Sequence, residues 1–326
     1  MAVLALVSCE KKEFAGTEKL NEMSFTSMLT KGYAEGDTFF ETVVADLHNT
    51  SATKTAREMQ ISAYLYPQNG EQGNYFVGKT YAQSAEESHI WWNVEGGQHV
   101  PIYWPVGGTL DFLAYSLSAE AATVQSVDVE WNAENAASQV VLAVPAENSQ
   151  NDILFASAYG IKAPSTAAPV PMQFNHAQAW LEFVLTGSEI PDDNATVHFK
   201  RIELENVYNA GTLNITNNGG NAIAKWDFSN ADKQTIEVDN FNENLKLSGS
   251  PKYLDMLIPE QAKTAFVLYY TLGNDEQELS YRFTTDLKTW FKGEKYIYKI
   301  NITTSEVTVE PKTAPWNSVS ANYDIN

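Results

Sequence analysis

With 41 acidic side chains against 21 basic ones, this 326-residue chain carries a formal charge of −20 and gathers no basic cluster after residue 12, which excludes a groove for phosphate backbones and with it a nucleic-acid partner. Hydrophobic content of 44% and aromatic content of 12% are ample for packed cores, so the chain is not a disordered one, and its length suggests about two domains. The single cysteine, Cys9, permits neither an intramolecular disulfide nor a zinc site built from thiolates.

The first element is the short apolar run Leu4-Ala5-Leu6-Val7-Ser8, which ends at Cys9. It reads either as a stray thiol near a frayed terminus or as the tail of a secretory signal. The order Leu6-Val7-Ser8-Cys9 resembles the lipobox of bacterial lipoproteins, in which the signal is cut before the cysteine and lipid is attached to the thiol. Each buried methylene of such a lipid adds about 0.8 kcal/mol, so several chains hold a protein firmly. The polar stretch that follows suits a tether, and residues 1–20 are taken as signal remnant and tether. No later window approaches the roughly 18 uncharged apolar residues of a membrane helix.

Strands dominate the rest. Segments rich in Val, Ile, Tyr, Phe and Thr recur between turn-forming clusters. Ser126-Val127-Asp128-Val129-Glu130-Trp131 alternates apolar with polar, and Gln139 to Val144 is a buried-strand run ended by Pro145. Ile202 to Glu205 and Gly211 to Thr216 alternate again, the latter leading into an Asn217-Asn218-Gly219-Gly220 turn. Tyr296 to Ile302 and Val307-Thr308-Val309 form a hairpin pair. One wet face per strand marks antiparallel sheets. Helical periodicity is poor; Thr80 to His89 and Ser118 to Ala122 are the best candidates, so few and short helices are expected. Ala163 to Pro171 holds three prolines among small residues, which divides the chain into β-sandwiches over 21–165 and 166–326.

Sites of chemistry are sparse. None of His48, His89, His99, His176 and His198 sits in a metal-binding spacing, and each is read as a structural histidine. The adjacent carboxylates Glu86-Glu87, Asp192-Asp193 and Asp275-Glu276 lie in turn-like polar stretches and read as solvated loop charge rather than as a glycosidase pair. Neither GxSxG nor GxxxxGK[ST] occurs, and Gly96-Gly97 and Gly107-Gly108 read as hairpin turns. No catalysis, cofactor or metal is expected. Trp91-Trp92 and Tyr103-Trp104 could stack on sugar rings or fill a core; neighbours on a strand point to opposite faces, so one of each pair is expected inside. Arg57 lies in a polar stretch of the kind proteases cut, or is an ordinary solvated charge.

Several segments together resemble one family. Val100-Pro101-Ile102-Tyr103-Trp104-Pro105 followed by Gly107 to Tyr115 resembles the "YWP … L-x-F-x-AY" signature of fimbrillin-like proteins, the type V pilins of anaerobic Gram-negative gut and oral bacteria. Asp152-Ile153-Leu154-Phe155-Ala156 is similar to the family's "DLLYA" strand, and Val170 to Ala177 to its "V-x-L-x-F-x-HA" strand. Met256-Leu257-Ile258-Pro259, Trp290 to Tyr298 and Pro315-Trp316 resemble its "M-L-I-P", "W-x-x-G-x-x-Y-x-Y" and closing "PW" elements. The matches run in order from about residue 60 to 316, and the region from Gly32 to Gln60 fits less well.

This resemblance implies an all-β chain of two tandem transthyretin-like β-sandwich domains, lipidated at Cys9 and carried to the outer membrane and cell surface. In polymerising members a trypsin-like or arginine-specific protease removes the first strand, and a strand from another subunit fills the groove left behind. Arg57 and Lys31 are the candidate processing sites here. Phe25 and Met28 on the first strand, and Val307, Val309, Trp316 and Val319 near the C-terminus, are the candidate strand-exchange residues. The implied partners are other fimbrial subunits, identical or paralogous, the membrane through the lipid, and a receptor on a host or bacterial surface. The alternative is a surface lipoprotein that binds glycans through aromatic platforms.

Overall fold

The computed structural model describes residues 21–29, 58–83, 90–116, 127–132, 137–144, 152–187, 196–218, 221–238, 245–247, 250–273, 277–285 and 289–316. Among them every regular element is a strand. The first half runs β1 (Phe25–Leu29), β2 (Met59–Tyr66), β3 (Gly73–Gln83), β4 (Trp91–Glu95), β5 (Gln98–His99), β6 (Thr109–Ser116), β7 (Val127–Asn132), β8 (Ala137–Val144), β9 (Leu154–Ile161) and β10 (Val170–His176). Then follow β11 (Gln178–Gly187), β12 (Val197–Val207), β13 (Gly211–Asn218), β14 (Asn221–Asp227), β15 (Gln234–Glu237), β16 (Leu245–Lys246) and β17 (Lys252–Pro259). The last are β18 (Gln261–Ala262), β19 (Ala265–Leu272), β20 (Leu279–Thr284), β21 (Thr289–Trp290), β22 (Glu294–Ile302) and β23 (Val307–Pro315).

The largest sheet has the order β1-β10-β9-β6-β2-β3-β4-β5, and β1 also pairs with β4. The sheet therefore closes on itself through β1, with β5 as an appendage of β4. Its interior holds Phe25, Met59, Ile61, Tyr81, Trp91, Phe112 and Phe174 among others. Strand β6 is buried on both faces: Leu110, Phe112 and Ala114 point into that interior, while Leu113 and Tyr115 point outward on the face that also carries the buried Asp111. A second sheet, β14-β13-β8-β7, covers the outward face, where Leu213, Ile215 and Ala224 meet Leu113, Tyr115 and Phe155. Burial on both faces explains why Phe112 to Tyr115 carries apolar or aromatic side chains at every position rather than alternating. Gly108 precedes β6 with a φ of 90° and lies so close to the chain that a Cβ would stand 2.3 Å from the Tyr66 carbonyl; only glycine fits.

A second body is a sandwich of β17-β11-β22-β23 against β15-β12-β19-β20, with β16 also on β12. Ala179, Leu181, Phe183 and Leu185 of β11 alternate into its core, as do Tyr296, Tyr298, Ile300 and Ile302 of β22. On β12 the inward positions change parity, from Val197 and Phe199 to Ile202 and Leu204, because the β12–β19 register slips between Phe199 and Arg201.

Strand pairing crosses the division drawn at residue 165. The proline-bearing stretch joins β9 to β10, which are neighbours in one sheet, so it is a loop within the first body. The chain passes into the second body at Ala177, between β10 and β11, and returns as the β13–β14 hairpin, which pairs with β8. Residues 80–83, taken as the start of a helix, belong to β3, where Gln60, Met59 and Trp91 pair with them; the remainder of that segment and Ser118 to Ala122 lie outside the described residues. Gly96 and Gly97, with φ of 58° and 76°, form the β4–β5 turn that their spacing predicts.

Two expectations follow. A chain ending at residue 165 lacks β10 and the β13–β14 hairpin, so it should show no cooperative thermal transition by circular dichroism, whereas the full chain does. Lys263 lies 3.8 Å over the Tyr296 ring with no hydrogen-bond partner for Nζ, and burial lowers its pKa to about 8. The folded state then sheds this proton more readily than the unfolded one, so Lys263 should contribute an increase in unfolding free energy as pH rises from about 8 towards 10. Denaturant melts of the wild type and Lys263→Met across that range should differ in slope, the variant lacking this contribution.

Candidate functional site

Two of the strand-exchange candidates, Phe25 and Met28, lie on β1. It runs parallel to β10, with Phe25 opposite Val170 and Leu29 opposite Phe174, and it touches β4 through the single pair Phe25 and Trp91. Ahead of it the backbone is tied at both sides: Met23 N–H donates to the Ile102 carbonyl at 2.7 Å, Trp104 N–H to Asn21 O at 3.1 Å, and Val170 N–H to Ser24 O at 2.8 Å. Asn21 Nδ2 donates to Pro164 O at 2.9 Å, and Glu22 pairs with His99. Alternation places Met23 and Phe25 inward, and both are fully buried. Phe25 makes edge-to-face contacts with Tyr81, centroids 4.8 Å apart, and with Phe112 at 5.1 Å. Burying such a ring is worth about 1.5–3 kcal/mol, and each aromatic pair adds about 0.5–1.5 kcal/mol. Burial, with Glu22 nearby, pushes the Tyr81 hydroxyl pKa well above its ordinary value, so the ring stays neutral beside Phe25.

Met28 stands opposite Gln173 on the same strand. Cys9, Lys31, Arg57 and Val319 lie outside the described residues, as do His48, His89 and all three adjacent carboxylate pairs. The Trp and Tyr pairs divide between faces. Trp91 and Trp104 are buried in the interior beneath β1, whereas Trp92 turns outward beside His99, centroids 5.3 Å apart, and Tyr103 is 44% exposed. Among the described residues no three His, Cys, Asp or Glu side chains come together as a metal site.

The C-terminal candidates sit elsewhere. Val307 and Val309 of β23 pack against the core of the second body. Strand β23 is the edge of its sheet, paired with β22 alone, and exposes Glu310, Pro311 and Lys312 at its centre, a composition that discourages further pairing. Trp316 is pinned at the junction of the two bodies. It packs with Trp180 and Leu257 and stacks on the His176 ring at 4.0 Å and 14°, while His176 Nδ1 contacts the Asp152 carboxylate at 2.8 Å. Phe25 and Trp316 therefore belong to different clusters of the same subunit. Composition alone does not single out Val170, Met172 and Phe174 as the partners of β1; their alternation is the signal that was available.

The chain as a whole resembles known proteins. A family model described as fimbrillin-like matches residues 47–316, and the chain belongs to that family. A candidate cell adhesion protein from Bacteroides uniformis superposes with a TM-score of 0.51 at 20% identity, covering 92% of this chain and 99% of that one. Another from Bacteroides ovatus gives 0.52 at 13% identity, with 91% and 98% covered. A fimbrial protein from Bacteroides vulgatus gives 0.48 at 15%, with 90% and 99% covered. No curated protein matches the sequence.

Replacing Phe25 with Ala empties the centre of the interior, and the full chain should lose about 3–5 kcal/mol in urea melts. A loss below about 1 kcal/mol would show that β1 carries little of the first body's stability.

Proposed function

We propose that this member of the fimbrillin-like family is a lipid-anchored cell-surface subunit that joins a fimbria by strand donation. The observation that carries the reading is β1 itself: a short strand, held parallel to β10 and by one residue pair to β4, that seals a buried aromatic interior. Taking it away leaves the N–H and C=O groups of β10 unpaired and opens the pocket of Met23 and Phe25. An incoming strand replaces both, with main-chain hydrogen bonds for affinity and alternate side chains for register. Lys31 and Arg57 lie between β1 and β2, so cleavage at either severs β1 from the rest of the chain. The donor is drawn from the C-terminal region. Val307, Val309 and Trp316 are committed to their own subunit until β23 detaches, so their donation requires that release, and Val319 is the candidate that follows them in the sequence. Contacts of this head-to-tail kind extend into filaments. Cys9 is the proposed lipid site, with the outer membrane as its destination, and the adhesive surface would meet a host or bacterial receptor.

The glycan reading is weaker on the same observations. Two of its four rings, Trp91 and Trp104, fill the interior, leaving Trp92 and Tyr103 outside.

Mild trypsin treatment of the purified full chain, followed by mass analysis, size-exclusion chromatography and electron microscopy, tests the proposal. Cleavage at Lys31 or Arg57 should release the β1 segment and produce a ladder of oligomers. A product cut at those sites that remains strictly monomeric defeats assembly by strand donation.

A further inference from the structure

The outward face of the β17-β11-β22-β23 sheet carries a charge pair that solvent does not reach. Lys295 of β22 and Glu182 of β11 are both buried, with Nζ 2.6 Å from Oε2. Close as it is, Lys295 Nζ meets no acceptor at a hydrogen-bonding angle. Beneath it lies the Trp180 ring, 3.6 Å from Nζ to centroid. Val184, Ile297 and Ala314 form an apolar cluster on the same face. Asp255 is the residue opposite Glu182 in the β11–β17 ladder, and its carboxylate accepts a hydrogen bond from Trp180 Nε1 at 2.6 Å.

An ammonium in such a place is costly when its protons are not hydrogen-bonded. A neutral amine held in contact with a neutral carboxylic acid, with water excluded, is the reactant pair of amide formation, and fixed proximity supplies the entropy that free reactants lack.

We propose that Lys295 and Glu182 join in an intramolecular isopeptide bond. A proton passes from the Lys295 ammonium to the Glu182 carboxylate. The freed nitrogen adds to Cδ of Glu182, forming the N–C bond. A second proton passes from the nitrogen to the departing hydroxyl. The C–O bond breaks, and one carboxylate oxygen departs with two of the three ammonium protons as water. One positive and one negative charge vanish, and no oxidant, metal or cofactor is required. Trp180 is a positioning residue: its ring lies under the nitrogen and its indole N–H holds Asp255. The bond staples β11 to β22 at the centre of their sheet and is independent of how subunits assemble.

Intact-mass measurement of the purified full chain under denaturing conditions reads the result directly. The expected mass is lower than that of the sequence by one water. A tryptic map should contain a linked species joining the peptide of residues 163–200 to that of residues 293–299, uncut after Lys295. Lys295→Arg and Glu182→Ala should each recover the missing water. A wild-type mass without the loss, together with ordinary cleavage after Lys295, overturns the proposal and leaves the two residues as a buried ion pair.

Discussion

The first body depends on the closure of its large sheet by β1. A sheet that curls far enough to enclose side chains must either meet its own edge or leave one open to water and to other strands. Here the gap between β10 and β4 is bridged by five residues, and the bridge is asymmetric: a full parallel ladder on one side, a single pair on the other. Met23 and Phe25 seat the bridge, because the interior packed from β2, β3, β4, β6, β9 and β10 leaves a space that only an apolar strand fills. Stability of the first body and the proposed exchange of a strand thus rest on the same contact.

The two bodies are bound by more than a linker. The chain leaves the first at Ala177 and comes back as β13–β14, whose Trp226 Nε1 donates to the Ala177 carbonyl at 2.8 Å. Beside that crossing, Asp152, His176 and Trp316 meet, although they lie far apart along the chain. Each belongs to a segment that resembles a fimbrillin motif, and the structure accounts for the three together as one junction between the bodies.

Charge is distributed on a similar principle. Among the described residues the buried carboxylates are Asp111, Asp152, Glu182 and Asp255. Exposed pairs such as Arg282 with Glu205 contribute little. The Lys295–Glu182 pair differs because it is buried, with the Trp180 ring against the Lys295 nitrogen. An interior of this kind alters the chemistry available to the groups it holds.

Alternation, turn glycines and the hairpins at Gly211 and Tyr296 were legible in the residues, because side-chain parity and left-handed turns are local properties of the chain. So was the inward direction of one member of each aromatic pair. The family motifs, too, stand in linear order. Which strands become neighbours was not legible: β1 beside β10, and β13 beside β8, are pairings whose hydrogen bonds carry no side-chain identity. The proline stretch looked like a boundary because its composition breaks a strand, but composition cannot tell a loop within a sheet from a passage between bodies. Tertiary structure decided that the passage lies at Ala177, that Phe25 and Trp316 serve different cores, and that Lys295 faces Glu182, since each depends on contacts between segments that only the closed sheets bring together.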